Sequence, residues 1–249
     1  KNIQNRKIQS QTSFGLGGER GIGAACVELF SKNGFSVAFA YGSDDKAAQK
    51  LAAKTSALAI KADVSDAKQI EKAFDQARTY FGIPSFDVVV CNAGISASGL
   101  ITDMSDEDVD NLIGINLVGT INVSRKAVAH MVEAKKGSIV MISSMWGQRA
   151  ASCESVYAAT KAGIIGFARS LAAELGPSGI RVNVVSPGVI ATEMNSEYSE
   201  ADMSALAEET PLGRIGLPEE VAEAVYYLAS DKASFIKGQV LGVDGGFAV

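Results

Sequence analysis

Cysteine is scarce in this chain and histidine scarcer, with three Cys, one His, one Trp and five Pro in 249 residues. Cys26, Cys91 and Cys153 are odd in number, widely spaced and free of any CxxC pattern, and His130 has no second histidine with which to share a metal. Neither a disulfide framework nor a zinc site is expected, and reduced thiols suit a cytosolic protein. Positive charge is also in deficit: 23 Lys and Arg against 28 Asp and Glu leave a formal net charge of −5. Such a balance argues against nonspecific nucleic-acid binding, which relies on clustered basic residues. No apolar run approaches the roughly 18 residues of a membrane span, and the first residues are polar, without the apolar core of an export signal. The expectation is a cytoplasmic protein with neither nucleic acid nor membrane as partner.

What is present is a chain with 47% hydrophobic residues, enough to bury the core of one domain spanning residues 1–249. Short apolar runs alternate with helical patterns. Phe35–Tyr41, Ala57–Ile60, Phe86–Cys91, Ile139–Ile142, Ile180–Val185 and Gln239–Val243 read as strands. Helices are expected from about Asp66 to Tyr80, after Ser105, around Tyr157, and from Pro218 through Leu228. Alternation at this period points to an α/β, doubly wound parallel sheet of the Rossmann type. Ser105 and Asp108 stand at capping-box spacing, and Gly176-Pro177 stops the Tyr157 helix. Residues 1–16 fit least well, since Gln11-Thr12-Ser13-Phe14-Gly15-Leu16 has polar residues and glycine where a central strand should carry Val or Ile. The polar stretch at about 193–212 reads as a lid over a cleft.

The chemistry centres on residues 143–169. A buried strand ending at Ile142 leads through a loop containing Ser144 into a helix with Tyr157 and Lys161 four places apart, which puts both on one helix face. A phenol is a weak acid at neutral pH, and a fixed cation beside it is expected to lower its pKa and make it a tuned proton donor. Alone, the spacing is no more than a half-solvated helix face would show. Ser144 at the carboxyl end of a strand, where open parallel sheets place their ligands, favours the functional reading. Asn116, among apolar neighbours, reads as a core amide in preference to a functional group, and His130 as a solvated helical residue.

Near the amino end, Gly17-Gly18-Glu19-Arg20-Gly21-Ile22-Gly23 opens a helix. Glycines let the backbone turn and approach a pyrophosphate, and the helix end offers free N–H groups. A carboxylate at Glu19 is expected to point outward, away from any phosphate. After the second strand, Tyr41-Gly42-Ser43 carries no acid to bond a ribose 2′-hydroxyl, and Arg20 can supply a cation, so NADP(H) is the expected cofactor. Asp44 and Asp45, just beyond, pull the other way. Asn92-Ala93-Gly94 ends the fourth strand with small residues beside which a flat ring can lie.

The ordered set Gly17-xxx-Gly21-x-Gly23, Asp63, Asn92-Ala93-Gly94, Asn116, Ser144, Tyr157-xxx-Lys161, Pro187-Gly188 and Asp244-Gly245-Gly246 resembles the short-chain dehydrogenase/reductase family from about residue 17 onward. Within it the chain looks most like bacterial 3-oxoacyl-[acyl carrier protein] reductases, enzymes of fatty acid biosynthesis. The segments Ser144–Gly147 and Ala151–Glu154 are also similar to the branch that reduces the 5-aminopentanone modification on translation elongation factor P. The resemblance implies that Tyr157 protonates a substrate carbonyl, Lys161 lowers its pKa and bonds the nicotinamide ribose, Ser144 holds the carbonyl oxygen, and Asn116 holds a relay water. It implies further that Asp63, Val64 and Asn92 line the adenosine side, and that Pro187, Gly188, Ile190 and Thr192 border the nicotinamide. A homotetramer or homodimer pairing helices around 106–134 and 155–175 is implied as well.

The chain departs from the family pattern at Leu16, where Thr is usual, and at Cys91, where Asn is usual. An acidic carrier protein calls for basic residues beside the cleft, yet two positions where they are expected read His130 and Ala173, leaving Arg125, Lys126 and Arg149. Glu154 favours an amine-bearing substrate instead. A dinucleotide-binding regulator without turnover is the alternative of another class.

Overall fold

The computed structural model describes residues 11–195 and 198–247; residues 1–10, the larger part of the atypical opening stretch, lie outside it. Seven parallel strands form one sheet in the order β3-β2-β1-β4-β5-β6-β7, with β1 at Thr12–Leu16, β2 at Ser36–Tyr41, β3 at Leu58–Lys61, β4 at Val88–Cys91, β5 at Gly137–Ile142, β6 at Ile180–Pro187 and β7 at Val240–Val243. The strand order reverses between β1 and β4, which opens a crevice at the carboxyl ends of these strands.

Alternation of side chains along each strand divides the core into two layers. In β5, Ile139 and Met141 face one cluster while Val140 and Ile142 face the other. The first layer is covered by α3 (Ala67–Phe81), α5 (Gly119–Ala134) and α6 (Ser155–Leu175); the second by α1 (Gly21–Lys32), α2 (Asp45–Thr55) and α8 (Pro218–Ala229). Because both faces are covered, β4 and β5 are buried at every position, which explains their unbroken apolar reading. The sequence-based doubly wound sheet, a single domain, is the fold observed.

The central strand β1 forms despite its composition. Phe14 is fully buried and stacks on Phe74 of α3 with ring centroids 4.3 Å apart. The polar Thr12 is satisfied at both its backbone N–H and hydroxyl, which donate to Asp87 Oδ2 at 2.9 and 3.1 Å, and Asp87 is neutralised by Lys136 at 2.9 Å. One aromatic anchor and one matched polar pair replace the missing Val and Ile.

Before α5, a short helix α4 (Asp106–Leu112) begins at the expected capping box of Ser105 and Asp108. It continues into a π-helical segment, Ile113–Val118, in which the Gly119 N–H donates to the Gly114 carbonyl. Such insertions recur at functional sites. The stretch expected to form a lid contains α7 (Glu200–Glu209), capped by Ser199 and Asp202. Among the described residues no helix is long and apolar enough to cross a membrane, and no group of His, Cys, Asp and Glu could hold a metal ion.

Candidate active site

β5 delivers its carboxyl end, Ile142, into the crevice, and Ser143 and Ser144 follow at once. The Ser144 hydroxyl accepts the Trp146 N–H at 3.2 Å, capping a single 3-10 turn. This turn brings the chain into α6, whose first turns carry Tyr157, Thr160 and Lys161. Strand and helix are locked together where they meet: the Ser143 hydroxyl donates to the Lys161 carbonyl at 2.8 Å, and Lys161 Nζ donates to the Ile142 carbonyl at 3.2 Å. Gly147 permits this approach, because a Cβ there would stand 2.6 Å from Ser143 Oγ and 2.9 Å from the Lys161 carbonyl carbon.

The four expected catalytic side chains are all buried, Asn116 at 0%, Lys161 at 4%, Ser144 at 8% and Tyr157 at 9% exposure. Gly94 marks the meeting point of two of them: a Cβ at that position would lie 3.2 Å from Lys161 Nζ and 3.3 Å from Asn116 Oδ1. Asn116 is at once a core amide and a site residue. Its Oδ1 accepts the Ile95 N–H at 2.8 Å, and its Nδ2 donates to the Ile95 carbonyl at 3.0 Å and to Thr160 Oγ1 at 3.2 Å. The π-helical turn thereby ties the segment after β4 to α6. Thr160 and the backbone of Ile95 and Ile142 are the positioning groups that sequence reasoning missed. Backbone partners leave no trace in residue type, although Thr160, next to Lys161, was open to inspection.

Burial pushes the Tyr157 phenol up to about 12, with a hydrogen bond from Ser144 opposing the rise and the charge of Glu154 adding to it. Burial likewise pushes the Lys161 ammonium down to about 8. The ammonium lies over the Tyr157 ring, 5.6 Å from the centroid, and is bonded to the Ile142 carbonyl. Desolvation is the largest cause in both groups. The phenol is therefore held in its proton-bearing form. An ammonium has three N–H donors, and the bond to Ile142 leaves others for a ligand beside Gly94.

The glycine turn forms the opposite wall. Gly17, at φ +59°, would place a Cβ 3.0 Å from Ala93 Cα, and a Cβ on Gly23 would collide with the Gly17 carbonyl oxygen. Asn92 Nδ2 donates to that same carbonyl at 3.0 Å, so Asn92-Ala93-Gly94 and the glycine turn lie edge to edge. Gly21 faces Thr192, whose Cγ2 would be 3.1 Å from an added Cβ. Ile190 is buried and forms a bridge with Gly216. Gly188 lets β6 pass β7, as a Cβ there would stand 2.8 Å from Asp244 Cα. Asp63 Oδ1 accepts the Ser65 N–H at 2.8 Å and its hydroxyl at 2.7 Å, and Val64 packs where Gly119 leaves room. Tyr41 donates its hydroxyl to Asp45 at 2.9 Å, and Ser43 is exposed. Two small-residue walls, a helix amino end and a lysine with free donors fit a dinucleotide.

Two loop residues depart from expectation. Arg20 forms an ion pair with Glu193 at 3.1 Å, linking the glycine turn to the stretch that follows Thr192. Glu19 does not point outward: its Oε2 is buried without a hydrogen-bond partner. At the other end of the site, Phe247 meets Trp146 edge to face at 5.9 Å while Arg149 donates to the Phe247 carbonyl. The turn after Asp244-Gly245-Gly246 is thus held against the loop that bears Ser144. Glu154 Oε2 is buried with no partner among the described residues, and burial pushes its carboxyl up against the opposing hydrogen bond with Ser98. Of the basic candidates, Lys126 is paired with Glu71 at 2.6 Å and Arg125 is exposed. His130 is not free in solvent, since its Nε2 lies 2.8 Å from Arg78 Nη1. A cavity of about 1100 Å³ beside α1, walled by Gly21, Ala25, Thr192, Met203 and Ala222, lies behind the glycine turn and away from Tyr157.

A family model described as enoyl-(acyl carrier protein) reductase matches residues 15–248. The chain is 39% identical over 250 residues to the 3-oxoacyl-[acyl-carrier-protein] reductase FabG of Chlamydia muridarum, covering 98% of this chain and 100% of that one. It is 35% identical over 239 residues to the uncharacterized oxidoreductase YmfI of Bacillus subtilis, covering 96% and 99%. Among solved structures, the short-chain dehydrogenase/reductase from Serratia marcescens BCRC 10948 superposes with a TM-score of 0.90 at 35% identity, covering 97% of this chain and 99% of that one.

Proposed function

This chain belongs to the short-chain dehydrogenase/reductase family, is most like its 3-oxoacyl-[acyl carrier protein] reductases and is an NAD(P)-dependent oxidoreductase; we propose that it reduces the ketone of a 3-oxoacyl thioester to a secondary alcohol with NADP(H). The observation that carries this reading is the burial of Asn116, Ser144, Tyr157 and Lys161, with Lys161 Nζ and Asn116 Oδ1 both beside Gly94, Lys161 over the Tyr157 ring and Ser144 hydrogen-bonded to Tyr157.

Tyr157 donates its proton to the carbonyl oxygen, and the elevated pKa keeps that proton on the phenol at neutral pH. Ser144, hydrogen-bonded to Tyr157, holds the same oxygen as negative charge develops on it. The reduced nicotinamide, when bound, supplies the hydride to the carbonyl carbon. Lys161 bonds the nicotinamide ribose with the donors Ile142 leaves free. Asn116 fixes the segment after β4 through Ile95. Gly17, Gly21, Ile22 and Gly23 cradle the pyrophosphate at the amino end of α1. Asp63, Val64, Asn92 and Ala93 border the adenosine side, and Pro187, Gly188, Ile190 and Thr192 the nicotinamide. Arg20, with Tyr41 and Ser43, meets the 2′-phosphate. Residues 193–212 close over the cleft, and the helices at 106–134 and 155–175 pair copies into a homodimer or homotetramer in the cytoplasm.

The Glu154 carboxyl near Tyr157, one of whose oxygens has no partner among the described residues, supports a second substrate reading, an amine-bearing ketone whose ammonium would meet it. An assay of NADPH oxidation with acetoacetyl thioester and with a small amino ketone separates the two. Turnover of the thioester sustains the first reading; turnover of the amino ketone alone replaces it with the second. Tight cofactor binding with no carbonyl accepted would make the chain a dinucleotide-binding regulator.

A further inference from the structure

The end of β2 lacks the acid that usually accepts a hydrogen bond from an unphosphorylated adenosine ribose, yet the neighbouring glycine turn contains one. Glu19 keeps its Oε2 out of water with no hydrogen-bond partner among the described residues. A buried acceptor left unmatched is costly, and a donor brought by a ligand would relieve that cost. The turn that carries Glu19 is seated on β2: a Cβ on Gly18 would press on Phe39 at 2.7–2.9 Å, and the Gly17 and Gly18 N–H groups donate to the Ala40 carbonyl at 3.0 and 3.4 Å. The turn therefore lies against the end of β2, where the ribose of a dinucleotide lies, and burial, the bond to Asp45 and the charge of Glu19 together raise the Tyr41 phenol.

The cations of this corner are already committed. Arg20 donates to Glu193 at 3.1 Å, and Lys61 reaches both oxygens of Asp45 at 3.1 Å. A 2′-phosphate must share Arg20 with Glu193 and tolerate Glu19. A ribose diol needs neither concession.

We propose that Glu19 is a cofactor-selecting residue whose carboxylate accepts a hydrogen bond from the adenosine ribose diol, so that the site takes NAD(H) as well as NADP(H). The inference rests on the dinucleotide-dependent reading above. Arg20 is the determinant for the phosphorylated form and Glu19 for the unphosphorylated one, and their opposition leaves the two affinities close.

Fluorescence titration of NADH and NADPH against the full chain tests this without any substrate, on wild type, Glu19→Gln and Glu19→Ser, each checked by thermal melting. A hydrogen bond to a charged group corresponds to about tenfold to a hundredfold in affinity. Glu19→Ser is expected to weaken NADH by about that factor and to tighten NADPH. Glu19→Gln, which removes the charge but keeps an acceptor oxygen, is expected to tighten NADPH while retaining most NADH affinity. A NADPH-to-NADH affinity ratio that neither variant moves overturns the inference, as does a wild type that binds NADPH but not NADH. A wild type that binds neither overturns the proposed function together with it.

Discussion

Lys161 holds its ammonium over the face of the Tyr157 ring, 5.6 Å from the centroid, and spends a hydrogen bond on the Ile142 carbonyl at 3.2 Å. The relationship is a cation–π contact in a dry site. It fixes the ammonium while the phenol, raised to about 12, keeps its proton. The acidity of Tyr157 is set by burial, opposed by Ser144 and reinforced by the charge of Glu154.

Tyr157→Phe removes the transferable proton and little else, because the ring keeps its packing. Turnover is expected to fall by at least about a hundredfold, the lower range for a positioned acid, with dinucleotide affinity nearly unchanged. Steady-state assays beside fluorescence titration check this; near-normal turnover would exclude Tyr157 as the donor.

The depressed Lys161 pKa predicts a pH-dependent cofactor affinity. Burial lowers the folded value to about 8, so the ammonium is charged below that pH and neutral above it. Binding of the polyanionic cofactor is expected to weaken by roughly tenfold as pH rises from 7 to beyond 9, the size of one charge-assisted hydrogen bond. Lys161→Met should bind more weakly with a flat profile. A slope that persists in that variant would assign the titration elsewhere.

Stability at alkaline pH follows from three other groups. Burial raises Cys26, Cys91 and Tyr157 to about 12 from ordinary values of 9.0, 9.0 and 10.0. In each, the unfolded chain loses its proton first, so the stabilisation is complete below the ordinary value and lost as pH rises towards 12. Lys161 acts oppositely: its burial penalty is full below about 8 and vanishes above 10.5. Melting temperature should change little between pH 8 and 9 and fall steeply above 10. Cys91→Ala should make that fall shallower, which calorimetry across the range would show.

Gly94→Ala tests the meeting point. The new Cβ would stand 3.2 Å from Lys161 Nζ and 3.3 Å from Asn116 Oδ1, tighter than ordinary contact. Both side chains are expected to give way, weakening cofactor binding and turnover together, while Asn116→Ala should cost about 1–3 kcal/mol for each group of Ile95 left unpaired. Urea denaturation of the two variants distinguishes displacement from lost hydrogen bonding.

Elements governed by local rules were legible in the sequence. The buried run Ile139–Ile142, the Ser105 cap and the stop at Gly176-Pro177 needed only neighbouring residues. The Ser199 and Asp202 pair that caps α7 has the same spacing and could have been seen. Three features could not. β1 depends on Phe74 and Asp87, which lie far along the chain from it. The Arg20–Glu193 pair joins residues brought together only by the crevice. The direction of the Tyr157 shift depends on burial, and a spacing of four residues reports proximity without reporting how dry the site is.

The π-helical segment Ile113–Val118 sets the azimuth of everything before it. One residue advances an α-helix by about 100°, so excising a single position there would return the helix to ordinary phase and swing α4 around its axis by that amount. Length variation at this point would re-aim α4 while leaving α5 seated on the sheet, a way of altering which face α4 presents without touching the proton donor.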